Sequence, residues 1–285
     1  MRNKALRWLA LSLVLLALVG AGCKKKPFEA KVPKEKPAAF PYELMDNVVK
    51  AHVNELGRVD YQGLQKDRDS LESLLGYIAT YGPESSPELF PTPQDKQAYY
   101  ITAYNALVLL NVLSRYPIDP PNIDKIKVNF FYQTTFKVDG KAINLVDLEN
   151  KIVRPVFKDP RNHFALNCGA RGCPALPQEG FVPSRLDEQL DREARKFVLE
   201  TRNVRLDGKT LYVSDIVCNF YPEDFVEYET SKGTALNSDK KIAKREAIVS
   251  YLNRYRPADQ QLPSAADLTM KCIPYDWTPN DQALK

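Results

Sequence analysis

Residues 96–116 are the most hydrophobic stretch beyond the N-terminal leader, apolar on nearly every face. A helix that is apolar all round has to be covered on all sides. The spacing therefore predicts a central buried helix, with the remaining elements laid around it. Asn105 sits inside this segment beside Tyr104. A buried amide needs partners, and a structural hydrogen bond to a neighbouring element is the expected role.

Around that helix, local signals place further elements. Met45, Val48, Val49, His52, Val53 and Leu56 form one stripe of a helix over 42–56, which puts His52 in or near the core. Leu71, Leu74, Leu75 and Ile78 suggest a second helix ending near Gly82-Pro83, followed by a proline-rich loop to about Asp95. Two Asp-Gly pairs mark tight hairpins: Asp139-Gly140 between 136–138 and 141–143, and Asp207-Gly208 between 204–206 and 210–213. A short helix over 145–153, ended by Pro155, and a strand over 163–168 lie between them. Ser184 with Asp187 reads as a helix cap before the stripe Leu186, Leu190, Ala194, Phe197 and Val198. A last helix carries Ile242, Ile248, Val249, Leu252 and Tyr255. The class is α+β, helices packed around a small, mostly antiparallel sheet.

The N-terminus reads as an export signal over 1–22. Arg2, Lys4 and Arg7 precede an apolar run from Trp8 to Val19, too short for the roughly 20 residues of a bilayer span. Gly20-Ala21-Gly22-Cys23 resembles a bacterial lipoprotein box, which implies that Cys23 becomes the first mature residue and carries the acyl (palmitate) anchor to a membrane. Lys24 after it resembles the pattern for outer-membrane delivery, facing the periplasm. Residues 23–40 hold six Lys and two Glu with several prolines, an extended tether whose sign suits anionic headgroups. Residues 41–285, read as one domain, hold 31 basic and 34 acidic residues. With no basic excess there, nucleic-acid binding is not expected. Beyond Cys23 four cysteines remain, and an oxidising compartment permits two disulfides in any of three pairings.

The chemistry-bearing segment runs from His163 to Pro174, where one of two histidines and two of five cysteines fall together. Imidazole and thiolate suit chemistry near neutral pH. Glu149 is a second pointer. Its helical neighbours Leu145, Val146, Ile152 and Val153 are all apolar, so its carboxylate faces the core and needs a partner, with Arg154 or His163 in reach.

The chain resembles a family known as domain of unknown function 547 (DUF547). The likeness rests on Tyr104-Asn105-Ala106, the run Leu148 to Arg154, the run Asp159 to Cys168 continuing to Cys173-Pro174, and Tyr275 to Asn280, spanning about 55–280. Position 150, often His in bacterial members, is Asn here. Position 172, usually Ser, is Gly, which implies a looser turn. The resemblance implies a residue set and not a reaction.

Four readings of His163, Cys168 and Cys173 stay open. One is a thiol nucleophile, Cys173 or Cys168, with His163 as base and Glu149 (or Asn150) orienting it. In a regular strand His163 and Cys168 would face opposite ways, whereas Cys173 escapes that objection, and the amides of Gly169, Ala170 and Gly172 suggest a nest for an oxyanion. The second is a Cys168–Cys173 disulfide, and the third a metal held with Glu149 or Cys218. The fourth is inert burial. The leading expectation is a Cys/His hydrolase or acyl transferase on a peptide, amide or ester, needing no cofactor. The alternative is an anchored binding or scaffold domain stapled by the 168–173 disulfide.

Overall fold

The computed structural model describes residues 30–284. The signal segment 1–22, Cys23 and tether residues 24–29 lie outside the described residues. From Lys31 onward the chain is docked on the domain: the Lys31 amide donates to the Glu72 carbonyl at 3.0 Å, and a side chain on Gly76 would run into the Lys31 carbonyl. Phe40 is buried, its ring 5.5 Å from Phe90 and 5.2 Å from Tyr99. The last part of the expected tether therefore belongs to the fold.

In chain order the helices are α1 (Glu43–His52), α2 (Tyr61–Lys66), α3 (Asp69–Thr80) and α4 (Pro93–Arg115). Next, α5 (Leu145–Asp147) runs through a π turn (Leu148–Val153) into α6 (Arg154–Phe157) without a break. Then come α7 (Asn162–Ala165), α8 (Leu186–Leu199), α9 (Pro222–Ser231) and α10 (Lys240–Tyr255). The strands are β1 (Thr135–Val138), β2 (Lys141–Asn144), β3 (Val204–Asp207), β4 (Thr210–Ser214) and β5 (Thr269–Ile273).

The buried central helix is α4, with nearly every residue from Gln97 to Val112 inaccessible. It starts three residues before the hydrophobic run because Thr92 and Asp95 form a capping box and Pro93 occupies the first turn, where a missing N–H costs nothing. β1 and β2 pair across Asp139-Gly140, both at positive φ. β3 pairs antiparallel with β4 so that Asp207 faces Thr210, which leaves Gly208-Lys209 as the turn. β5, which no local pattern announced, adds to β4 in parallel. The class is α+β.

Two side-chain clusters make up the interior. One surrounds α4 with α1, α3 and the α5 segment. The other holds Phe164, Phe197, Val213, Phe225, Ile248 and Tyr251 between α8, α9, α10 and the three-stranded sheet. Tyr275 packs against both, and the functional groups gather at that seam.

Several expectations are corrected here. Residues 163–168 are not a strand. Asp159-Pro160 opens a helical turn, with Asn162, His163 and Phe164 amides donating to the carbonyls of 159, 160 and 161, and only Leu166 onward is extended. Pro155 does not stop its helix, because the preceding π turn re-registers the chain and Pro155 falls in the first turn of α6. Ser184 makes no cap bond to α8. Among the described residues no helix is long and apolar enough to cross a membrane.

The Cys168–Cys173 disulfide, one of the four open readings of that cluster, is not formed. Cys218 is bonded to Cys272, while Cys168 and Cys173 are free thiols. The bond ties β5 to the π turn Ile216–Phe220 over a sequence separation of 54. Closing a loop of that length stabilises by roughly 2–4 kcal/mol through the unfolded state. Removing the bond with Cys218→Ser and Cys272→Ser together is expected to lower Tm by roughly 6–12 °C for about 3 kcal/mol. An unchanged calorimetric midpoint would count against the pairing.

Candidate functional site: a paired-thiol cavity

The segment 166–174 is held by buried amides. Asn105 Nδ2 donates to the Ala165 carbonyl and its Oδ1 accepts the Asn167 amide, both at 2.9 Å. The structural role expected for Asn105 is the one seen. Asn167 then donates to the Pro174 carbonyl at 2.8 Å and accepts from the Gly169 amide and from Asn280. Asn280 Oδ1 in turn accepts the Tyr61 hydroxyl at 2.7 Å. The side-chain amides of Asn105, Asn167 and Asn280 are all engaged, which holds the turn firmly. Gly172 does not loosen it. A Cβ there would lie 2.7 Å from the Asp276 nitrogen and 2.9 Å from the Tyr275 ring, so only glycine lets the two segments meet.

That closeness brings Tyr275 onto both sulfurs. Its hydroxyl is 2.7 Å from Cys168 Sγ and 2.8 Å from Cys173 Sγ. The Cys168 amide also donates to Cys173 Sγ at 2.9 Å. The two thiols differ in character. The hydrogen bond and charge of Cys173, with burial, push the Cys168 thiol well up, so it keeps its proton. Burial also opposes ionisation of Cys173, but hydrogen bonds from Cys168, Tyr275 and the Ala170 and Cys168 amides outweigh it and bring this thiol below its ordinary value. Burial and the two sulfurs hold the Tyr275 phenol well above its usual range, so it remains a donor. Cys173 is the more acidic sulfur.

The nest expected from Gly169, Ala170 and Gly172 is therefore not open to an oxyanion. Gly169 donates to Asn167, Gly172 to the Asp276 carbonyl, and the Ala170 amide faces the Cys173 sulfur. No helix starts at Cys173 either. The acidity comes from local donors.

His163 and Glu149 line the same cavity as the sulfurs, but the roles expected for them change. His163 Nε2 lies 2.8 Å from Asp224 Oδ2, and its ring stacks on Tyr221 at 4.2 Å. It makes no hydrogen bond to either sulfur among the described residues. Its orienting carboxylate is Asp224, not Glu149. Arg154 likewise pairs with Asp224, through Nε at 2.8 Å and Nη2 at 2.6 Å, so the expected Glu149–Arg154 pair does not form. Burial opposes the charge on Asp224, but hydrogen bonds from Arg154 and His163 hold its carboxyl well below the usual range. Glu149 instead faces the Tyr221 hydroxyl, which burial and this carboxylate keep protonated. His52 lies in the core with Nε2 3.5 Å from Asp67. No group of three His, Cys, Asp or Glu among the described residues could hold a metal ion, so the metal reading lacks a ligand set.

The cavity holds about 310 Å³. Three π turns supply its wall: Phe131 and Tyr132 from Val128–Gln133, Glu149 and Asn150 from Leu148–Val153, Ile216 and Phe220 from Ile216–Phe220. Such turns concentrate at functional sites because they redirect side chains within a helix. Asp224 and Tyr221 were not singled out from sequence, although Pro222-Glu223-Asp224 is an acidic helix start that local reading can find. Tyr275 belongs to a quoted motif but had no role assigned.

Fold and site together define an α+β domain with an acidic thiol and a carboxylate-bound imidazole on one aromatic cavity. Residues 90–198 match the family described as a protein of unknown function, DUF547. The resemblance read from the motifs thus holds from the start of α4 to the end of α8, a shorter span than the motifs covered. No curated protein and no solved structure matches the chain.

Proposed function

We propose that this chain is a cell-envelope lipoprotein, anchored through an acylated Cys23, whose domain is a thiol-dependent hydrolase or acyl transferase acting on a peptide, amide or ester. The observation that carries the enzymatic reading is the set of polar partners on one sulfur: Cys173 Sγ lies 2.8 Å from the Tyr275 hydroxyl and receives the Cys168 amide at 2.9 Å. A sulfur so placed is favoured as thiolate, the nucleophilic form. Asp224 at Nε2 leaves Nδ1 of His163 as the ring nitrogen for proton exchange with a leaving group or water. Export is supported by the leader pattern and by the Cys218–Cys272 bond, since such bonds persist in oxidising compartments. The scaffold alternative has lost its 168–173 staple.

Iodoacetamide alkylation of Cys173, followed against pH by mass spectrometry, tests the reading. The thiolate is present above the lowered pKa, so the rate should inflect below the ordinary thiol value of about 8.5. Tyr275→Phe removes one donor and should move the inflection up by on the order of one pH unit. An inflection at or above the ordinary value, unmoved by Tyr275→Phe, would defeat the proposal.

A further inference from the structure

The cavity beside Cys173 presents more apolar ring surface than thiol chemistry requires. Tyr104, Phe131, Tyr132, Phe220 and Trp277 line it without touching either sulfur or the imidazole through a hydrogen bond. Trp277 lies 4.5 Å from the Tyr275 ring and 6.5 Å from Phe131, and Phe220 lies 5.5 Å from Tyr275. These rings form a continuous wall beginning at the sulfurs. It ends at the mouth, where Tyr132 and Phe220 are 58% and 43% exposed.

Most polar groups on the wall are already engaged, Glu149 on the Tyr221 hydroxyl among them. His163 is on Asp224, Tyr275 on the two sulfurs, Asn150 on Arg154, and Lys127 on Asp124 at 2.6 Å. A polar substituent entering would leave water and find few free partners, which disfavours it. An apolar substituent meets no such penalty and gains roughly fourfold in affinity for each methylene buried.

The geometry points to an apolar acyl group, aliphatic or aromatic, as the substrate portion taken by this cavity, with its carbonyl carbon at Cys173; this rests on the thiol reading. In the step so defined, Cys173 sulfur bonds to the carbonyl carbon of an ester and the C–O bond breaks. The leaving alkoxide takes its proton from the His163 imidazolium. Water then attacks the thioester, His163 accepts the water proton, and the acyl group departs as its acid while the thiolate and imidazolium are restored.

The test uses the full chain with p-nitrophenyl acetate, butyrate, hexanoate and 6-hydroxyhexanoate. kcat/KM should rise tenfold or more from acetate to hexanoate and fall again for the hydroxylated chain. Phe131→Ala should reduce hexanoate turnover several-fold more than acetate turnover. A flat series with Cys173 still acylated would overturn the acyl inference and leave the thiol reading standing. If no ester acylates Cys173, the thiol reading fails, and binding decides the cavity's preference. The chain has two tryptophans, Trp8 and Trp277, so Trp277→Phe isolates the cavity signal. A saturable fluorescence change with hexan-1-ol, absent in Trp277→Phe, supports an apolar cavity; no change, or the same change in both proteins, overturns it.

Discussion

Cys173→Ala is expected to lower ester turnover by at least about 10³-fold, because Cys173 is the more acidic of the two free thiols on the cavity wall and the one placed to carry the acyl group. Cys168→Ala should retain far more, within roughly tenfold of the parent at pH 9. Its thiol keeps its proton and serves as a donor to Cys173. Removing that donor should shift the onset of activity to higher pH, so the loss is larger at pH 7 than at pH 9. Measuring kcat/KM for both variants across this range separates nucleophile from supporting thiol. Equal losses at every pH would show that the two sulfurs act as one unit, or that neither is the nucleophile.

Asp224→Asn should cost both activity and stability. Asp224 is the carboxylate shared by His163 and Arg154. The amide cannot pair with the imidazole as a carboxylate does, and it leaves a part-buried guanidinium without its counter-ion. A fall in kcat of roughly 10²–10⁴-fold is expected, with a stability loss of about 3 kcal/mol at pH 7. The pH dependence gives an internal check. The Asp224 carboxyl is depressed in the folded chain, so its contribution is complete above the unfolded value of about 3.9 and fades as pH falls further. Urea unfolding should therefore show the gap between parent and variant unchanged down to about pH 4 and narrowing steadily as pH falls below it. A constant gap would mean that Asp224 acts through packing alone.

Much of the architecture was legible because it rests on short-range signals. The all-apolar run declared α4, the Asp139-Gly140 pair declared the first hairpin, and the stripe from Leu186 to Val198 declared α8. The misreading of 163–168 came from weighing apolar residues above Asp159-Pro160, whose backbone geometry nucleates a turn. β5 was missed because a lone exposed strand has no hydrophobic alternation of its own, and its pairing with β4 is parallel and distant in sequence.

At the site the division is sharper. Local sequence determined that a histidine, two cysteines and a core-facing glutamate would lie near one turn, and His163, Cys168, Cys173 and Glu149 do share a cavity. Which partner each one takes was decided by tertiary structure alone. Asp224 reaches His163 across 61 positions, Tyr275 reaches Cys168 across 107, and Cys272 takes Cys218 while the central pair stays free. Spacing along a chain specifies which side chains are neighbours within a turn or two. Hydrogen bonds and ionisation depend on atoms a few ångströms away, and those are set by how separate elements pack.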